Sequence, residues 1–427
     1  FLIGLQGVGP VGGERYDGED GVMRVIEQLE GVALPPSVWE SSVLPARVRD
    51  YRPAMLDGLL SSGEIVWVGS KTTGSKAKEP GLVALHPADS LLLTVQDGEK
   101  NGGAPGEPVT LPDAVMAVLA PGGAYHANQL AGMTRAAWDA SSECVDESTG
   151  EILPHPWSDS QFEEALWSLV WQGKVTNSSF DPLRSLGASS HAVKAPARAS
   201  RRRVRVRVSV PANMTGLWSA VPHADMQEAS AERVAIARVE ALLDRYGVIA
   251  PPMIDKERLA GGFSGLYPVL RRMEEHGALM RGMFVSGCGA AQFASRQTVD
   301  ALRACAAEPS AVVLDATDPA NLYGSVIAWP RTIGGFSIRP ARRSGASVVL
   351  RGGRLLAYAV PRSHHLLLAQ DADPALQQAC NELAYALQRN LRDGGIRGGV
   401  TFCDANDEPL TARGEWSLIL KFAGCVP

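Results

Sequence analysis

The stretch Gly262–Ala294, GFSGLYPVLRRMEEHGALMRGMFVSGCGAAQFA, runs an amphipathic helix directly into a hairpin with a small-residue turn. Leu266, Val269, Leu270 and Met273 recur at helical spacing and face one way. Gly277 stands where a C-cap would stop the helix, and Leu279, Met283, Phe284 and Val285 begin a β-rich wing. This order predicts a winged helix-turn-helix.

The same grammar occurs twice upstream, in Met55–Gly69 (MLDGLLSSGEIVWVG) and Ala165–Ser178 (ALWSLVWQGKVTNS). Each has apolar residues at helical spacing, then a glycine, then a strand-like segment, so a tandem array is expected. In the first unit, helices are predicted over Gly21–Leu34, Val38–Leu44 and Asp50–Gly63, with wing strands Glu64–Gly69 and Leu82–His86. In the second, Pro112–Leu119, Ala124–Ala131 and Asp159–Gln172 are the helices and Lys174–Phe180 the wing. The third starts at Ala229 or Ser230, with Pro251-Pro252 as a turn.

After Ala307 the period changes from helical to alternating. Short strands are predicted at Ser310–Leu314, Gly324–Trp329, Phe336–Arg339, Ala346–Leu350, Arg354–Val360 and Ser363–Ala369. Asp373-Pro374 opens a helix that Gly394-Gly395 ends, and Gly399–Cys403 and Trp416–Phe422 would close the sheet. The expected class is α+β: tandem winged-helix modules followed by a small antiparallel β-barrel with a packed helix. The expected boundaries are winged helices at 1–95, 111–187 and 228–306, linkers at 96–110 and 188–227, and the barrel module at 307–427.

Bulk properties narrow the function classes. Apolar content of 45% and charged content of 20% are those of a globular protein, and no apolar run approaches the roughly 18 residues of a membrane helix. The chain opens on Phe1 with no signal-peptide pattern, and it reads as a piece of a longer protein. Cysteines at 144, 288, 305, 380, 403 and 425 form no C-x-x-C pair and have no histidine at zinc-ligand spacing. No metal is expected, and the cysteines fit thiols in a bacterial cytoplasm. The net charge of −5 argues against a uniformly basic nucleic-acid binder, but Lys194–Arg207 carries seven positive residues and no acid. Gly69–Lys76, GSKTTGSK, lacks Lys followed by Ser/Thr after its second glycine and leads into no helix, so no nucleotide site is expected.

Candidate contacts follow from this layout. Arg47 and Arg49 could touch phosphates from the turn before a third helix, or be surface charges paired with Asp50 or Asp57. Arg271 and Arg272 lie on the polar face of the helix that enters a groove in DNA-bound winged helices, though Glu274-Glu275 follow and fit a solvated face. Lys194, Arg198, Arg201, Arg202 and Arg203 form a basic run that is either merely solvated or grips phosphates, and the flanking modules favour the second. Arg342, Arg343, Arg351 and Arg354 cluster around the predicted barrel hairpin, to line a strand path or to keep the rim soluble. Gln292 could reach a minor groove from the wing, against the commoner fate of internal hydrogen bonding. Asp318 in ATDPAN is the one carboxylate worth testing for acid/base work, against an Asx-turn before Pro319. His364 and His365 point to opposite faces of a strand, and Trp167, Trp171 and Trp218 fit a core.

The phrases VIEQLEGVALPPSVWESSVLPARVRDYRPAMLDGLLSSGEIVWVG, EEALWSLVWQGKVTNSSFDPLRSLG, LLDRYGV, GGFSGLYPVLRRMEEHGALMRGMFVSGCGAAQFA and ATDPANLYGSVIAWP resemble the C-terminal region of the large helicase-related proteins, bacterial superfamily-2 helicases. The resemblance implies an ATP- and Mg-dependent motor elsewhere in the same polypeptide, driving 3′ to 5′ unwinding of DNA and RNA:DNA hybrids in DNA repair. It implies for this chain an accessory role in gripping nucleic acid and in self-association, with no cofactor and no membrane partner of its own. Tandem winged helices followed by a barrel also resemble the winged-helix DNA glycosylases that excise alkylated bases. Their Gln-x-Gln or Gln-x-Asp signature falls on Ala33-Leu34-Pro35 here, whose side chains can neither accept a proton nor polarise water. A glycosylase acting on uracil or alkylated bases and a purely structural oligomerisation module are therefore the two rival expectations.

Overall fold

In the computed structural model the opening stretch folds as its spacing predicts. The structure describes residues 1–9, 13–70, 80–93, 110–141, 144–145, 152–153, 156–189, 211–223, 230–259, 261–305, 311–361, 364–369 and 402–410. The chain divides into two units, one of Phe1–Leu29, Val38–Arg52 and Ala231–Pro427, the other of Glu30–Ser37 and Pro53–Ser230. No described helix is long and apolar enough to cross a membrane.

In the first unit, helices Ala231–Tyr246, Pro251–Glu257 and Gly262–Glu275 surround a three-stranded sheet. In that sheet Gln292–Ala294 pairs antiparallel with both Val248–Ile249 and Met280–Gly282. This is winged-helix connectivity, with the wing between the last two strands. Leu266, Val269 and Leu270 are buried against Val239, Leu242, Ile249, Met253, Ile254 and Phe293, with Met273 at the edge. The period-3.6 stripe thus becomes the contact face of the third helix. Pro251 and Pro252 occupy the first turn of a helix rather than a turn, because a missing N–H has no intrahelical partner to lose there.

The same unit carries a six-stranded sheet in the order Ala311–Asp315, Ser347–Arg351, Arg354–Val360, His365–Leu368, Asp404–Ala405, Glu408–Pro409. All pairings are antiparallel except His365–Leu368 with Asp404–Ala405. Gly352 and Gly353 turn the central hairpin with φ of 54° and 80°, the two positive angles that a tight two-residue hairpin turn demands. Leu355–Val360 is buried along its whole length, so both faces are covered, and Val8 and Ala46 from the N-terminal segment join this core. Among the described residues the sheet is open, its outer strands unpaired with one another, where a closed barrel was expected. The expected helix from Asp373 and the strand Trp416–Phe422 lie outside the described residues.

Two expected strands, Gly324–Trp329 and Phe336–Arg339, are turns and bends instead. Pro330 and Pro340 remove ladder donors, and the Ser337 N–H is taken by the Asp407 carboxylate at 2.6 Å. Tyr323 stacks on Trp329, whose ring meets Tyr358 edge-on, so the segment is fixed by aromatic packing rather than by a ladder.

In the second unit, helix Pro53–Ser62 leads into the hairpin Ile65–Ser70 with Leu82–Pro87. Helices Leu111–Leu119, Ala127–Ser141 and Asp159–Trp171 accompany a sheet in which Leu217–Ala220 lies between Tyr125–His126 and Val175–Asn177. Thr110 and Asp113 form a reciprocal capping box that sets the start of the first of these helices. Leu217–Ala220 falls in the stretch read as a basic linker. Its LWSA sequence is too short for a visible period, and its partners are nonlocal. Trp167, Trp171 and Trp218 do form a core, with ring centroids 5.5 and 5.6 Å apart. The Trp67 ring nitrogen donates to the Ser179 carbonyl at 3.2 Å, and Thr176 donates to the Trp67 carbonyl at 2.7 Å. These bonds join the hairpin to the neighbouring strand.

Gly69 is where the hairpin backbone crosses the helix end. A Cβ there would stand 2.6 Å from the Val170 carbonyl oxygen and 3.0 Å from the Trp171 ring. Gly69→Ala is expected to lower stability by about 1–3 kcal/mol in denaturant titration, as overpacking does. Gly132→Ala, in a helix with nothing within 4 Å, should instead stabilise by about 0.5–1 kcal/mol.

Candidate nucleic-acid interface

Several candidates that the sequence offered to solvent are inside the first unit. Arg47 is 0% exposed. Its Nη1 donates to Asp318 Oδ2 at 3.0 Å and to the Val43 carbonyl at 3.0 Å, while Nη2 donates to Asp318 Oδ1 at 2.9 Å and to Gln6 Oε1 at 2.8 Å. A guanidinium whose fork is spent on a buried carboxylate cannot reach a phosphate, so the expected contact at Arg47 is corrected. Asp318 is equally buried, and it also accepts from the Ala320 N–H at 2.8 Å. The Asx-turn reading holds. Acid/base work at Asp318 does not, since its oxygens face Arg47 and backbone rather than a site a substrate could enter.

The network continues through neighbouring elements. Gln6 donates to the Arg245 carbonyl at 3.0 Å, and Gln28 donates to the carbonyls of Leu5 and Asp244 at 3.1 and 2.9 Å. Arg24 grips Asp244 through two bonds of 2.9 and 2.7 Å. Arg245 and the Tyr246 hydroxyl both bond Glu257. Burial resists ionisation of Glu257, but Arg245 and the Tyr246 hydroxyl outweigh it and hold its carboxyl below the usual range. Lys256 Nζ is buried with no hydrogen-bond partner among the described residues and sits 5.0 Å from the Tyr246 ring centroid. Burial first, then the Arg342 guanidinium, push its ammonium down to about 7.

Arg342 is a second correction. Its guanidinium donates to the carbonyls of Thr317 and Asp318 at 2.8 and 3.2 Å and to those of Asn321 and Tyr323, capping the ATDPAN turn from inside. Gln292 is the third. Fully buried, it accepts from the N–H groups of Phe284 and Val285 at 2.9 and 2.8 Å and donates to the carbonyls of Val285 and Gly289 at 2.8 and 2.7 Å. Both halves of its amide clamp the wing, so it cannot read a groove. His364 sits in a left-handed turn before the strand, at φ 62°, and His365 faces Asp404 at 2.7 Å.

Other candidates do stand at the surface. Arg271 pairs with Glu275 at 2.9 Å, and Arg272 with Glu232, all four being more than half exposed. Arg49 donates to the Glu14 carbonyl at 2.9 Å and lies 3.5 Å from Asp17. Exposed Arg343 donates to the Tyr358 hydroxyl at 3.2 Å. The exposed ion pairs of Arg271, Arg272 and Arg49 hold their arginines by about 0–1 kcal/mol, which a phosphate can displace. Lys194, Arg198, Arg201, Arg202 and Arg203 lie outside the described residues. Sequence reading missed Arg281 and Arg296, both exposed. The signal was available: from His276 to Val299 the chain has these two arginines and not one acid. The described residues hold no cluster of three or more His, Cys, Asp or Glu that could bind a metal.

Comparison with known proteins follows the same lines. The winged-helix domain of the large helicase-related proteins matches residues 1–88 and again 228–313. The Lhr helicase/uracil glycosylase of Escherichia coli (strain K12) is 38% identical over 427 residues, covering 95% of this chain and 25% of that protein. The Lhr helicase/probable uracil glycosylase of Mycolicibacterium smegmatis is 38% identical over 387 residues, covering 86% of this chain and 23% of that protein. The chain thus spans about a quarter of the length of these relatives. In fold it is similar to the Streptomyces sahachiroi DNA glycosylase AlkZ, with a TM-score of 0.51 and 14% identity over 94% of this chain and 96% of that one.

The buried network carries two predictions. Asp318→Asn should cost about 3–5 kcal/mol in denaturant unfolding, because it strands Arg47 without its counter-charge, while Arg47→Met with Asp318→Leu should cost far less. Lys256 titrates lower when folded than when unfolded, so between about 7 and 10.5 the unfolded chain holds the extra proton. Stability through this group therefore rises with pH across that window and is flat below it. Lys256→Met should be more stable than the wild type at pH 7, with the difference shrinking by pH 9 in thermal melts.

Proposed function

The chain belongs to the large helicase-related family, and from that premise we propose that it is a nucleic-acid-binding accessory region of an ATP-dependent 3′ to 5′ helicase acting in DNA repair, with no ATPase site of its own. Its role is to hold the tracking strand or the displaced duplex, of DNA or of an RNA:DNA hybrid, while a motor in the same polypeptide, using ATP and Mg, steps along it. The observation that carries the reading is the third winged helix. Its third helix presents Arg271 and Arg272 on the exposed face, held only by exposed acids, and the wing beside it is cationic and free of acid. A barrel module at 307–427, and self-association of the region, belong to the same proposal.

Contacts made by such arginines go to phosphates, so binding should be weakly sequence-selective and steeply salt-dependent. In fluorescence anisotropy, the chain should bind a tailed duplex at low salt and lose affinity as salt rises. Arg271→Glu with Arg272→Glu should weaken binding by about tenfold or more and flatten the salt dependence by roughly two phosphate contacts. No affinity for any tailed duplex at low salt would overturn the proposal.

A second reading is favoured by the names of the relatives, which pair helicase with uracil glycosylase for proteins about four times the length of this chain. Under it the chain hydrolyses the bond between uracil and deoxyribose. The residues place limits on how: Asp318 is committed to Arg47, and Ala33-Leu34-Pro35 supplies no polar group. Incubation with a uracil-containing duplex and scoring for abasic product tests it. Turnover that survives in a folded Asp318→Asn chain would place the chemistry elsewhere, and absence of product would remove the reading.

A further inference from the structure

The wing of the third winged helix holds one large apolar side chain almost wholly in water. Met283 is 80% exposed, far beyond Met280 at 42% and the other exposed large hydrophobics. An isolated apolar residue on a surface needs no explanation, but this one is held by a device. Gly282 on one side is paired with Gln292 in the sheet, and a Cβ at Gly282 would stand 2.7 Å from the Phe284 ring. On the other side Phe284 and Val285 pack against the small core of Val248, Ala294 and Val299, while the Gln292 amide ties their N–H groups. Phe284 and Val285 therefore pack inward, and Met283, between Gly282 and Phe284, is left in solvent. Four hydrogen bonds from one buried side chain fix a loop whose outward product is a methionine.

The surroundings select what such a side chain meets. Arg281, two residues before it, and Arg296, at the start of helix Arg296–Ala304, are exposed, and no acid occurs between Glu275 and Asp300. A flexible apolar tip with an arginine two residues away on the same hairpin complements a duplex, whose phosphates face outward and whose apolar surface lies between stacked bases. Apolar wedges of this kind, methionine among them, enter base steps from the groove and unstack them.

We propose that Met283 is a wedge that enters the base stack of duplex DNA beside the wing and opens one step, while Arg281 holds a neighbouring phosphate. The inference rests on the nucleic-acid-binding reading above and adds an unstacking function to it. In a helicase-related protein such a wedge would keep strands apart at a junction.

Duplexes carrying 2-aminopurine at successive positions test it, with anisotropy of the same duplexes reporting binding. The wild-type chain is expected to raise 2-aminopurine fluorescence at one or two adjacent positions. Met283→Ala should lose that rise while weakening binding by about tenfold or less, and Met283→Phe should restore it. Arg281→Glu should weaken binding at every position alike. If the wild type binds but no position brightens, or the rise persists in Met283→Ala, the wedge is overturned and the binding proposal stands. If the wild type binds no duplex at low salt, both fail. If Met283→Glu instead converts an oligomer to a monomer with the fluorescence rise intact, Met283 contacts a second copy of the chain and the wedge is likewise overturned.

Discussion

The first unit depends on one ion pair. Arg47 comes from the N-terminal segment and Asp318 from the ATDPAN turn, 271 residues away in sequence, and their bidentate contact is wholly buried. Two charges taken out of water do not stabilise a fold on balance, but each makes the other indispensable. What the pair confers is register. Gln6 reaches Arg47, Gln6 also reaches the Arg245 carbonyl, and Arg342 caps the turn that presents Asp318. The N-terminal segment, the third winged helix and the open sheet thus share one polar network. An apolar interface among them would tolerate sliding, and a bidentate fork with satisfied carbonyls does not.

This division of the cations explains which parts of the site were legible. The winged helix at 231–294 was written in local periodicity: the Leu266, Val269, Leu270 stripe, the glycine after it and the hairpin all act within a few residues of one another. The hairpin at Arg351–Arg354 was equally plain, because two adjacent glycines fit a turn needing two positive φ angles. Arg47 and Arg342 were not legible as structural residues. An arginine in a polar-looking turn has the same sequence neighbourhood whether it meets phosphate or a carboxylate folded in from far along the chain. The strand Leu217–Ala220 was hidden for the same reason, since both its partners are remote. Gln292 shows the middle case: its place in the wing was readable, but not which way its amide faced.

The network also bears on chemistry. A glycosylase needs a group that can polarise water or accept a proton at an accessible position, and Asp318, the carboxylate that sequence reading put forward, is spent on Arg47. Likeness of fold to a DNA glycosylase at 14% identity speaks to architecture alone, and the same architecture serves unrelated chemistries. The buried charges here are those of a scaffold. Lys256 makes the point from the other side, since a buried amine with no hydrogen-bond partner among the described residues is relieved by giving up its proton more readily.

What remains for function is at the rim, and there the arrangement is asymmetric. The exposed face of helix Gly262–Glu275 pairs each of its two arginines with a glutamate, so its field is weak at a distance. The wing beside it has no acids at all, and its backbone is clamped by four hydrogen bonds from Gln292. A surface meant only to attract a polyanion would gain more from added lysines than from rigidity. Rigidity matters when a single side chain must be delivered to a defined place against resistance, as in parting stacked bases, which costs a few kcal/mol per step. A mobile wing would fold away from that load, whereas a clamped one transmits it to the core of the winged helix through Phe284 and Phe293.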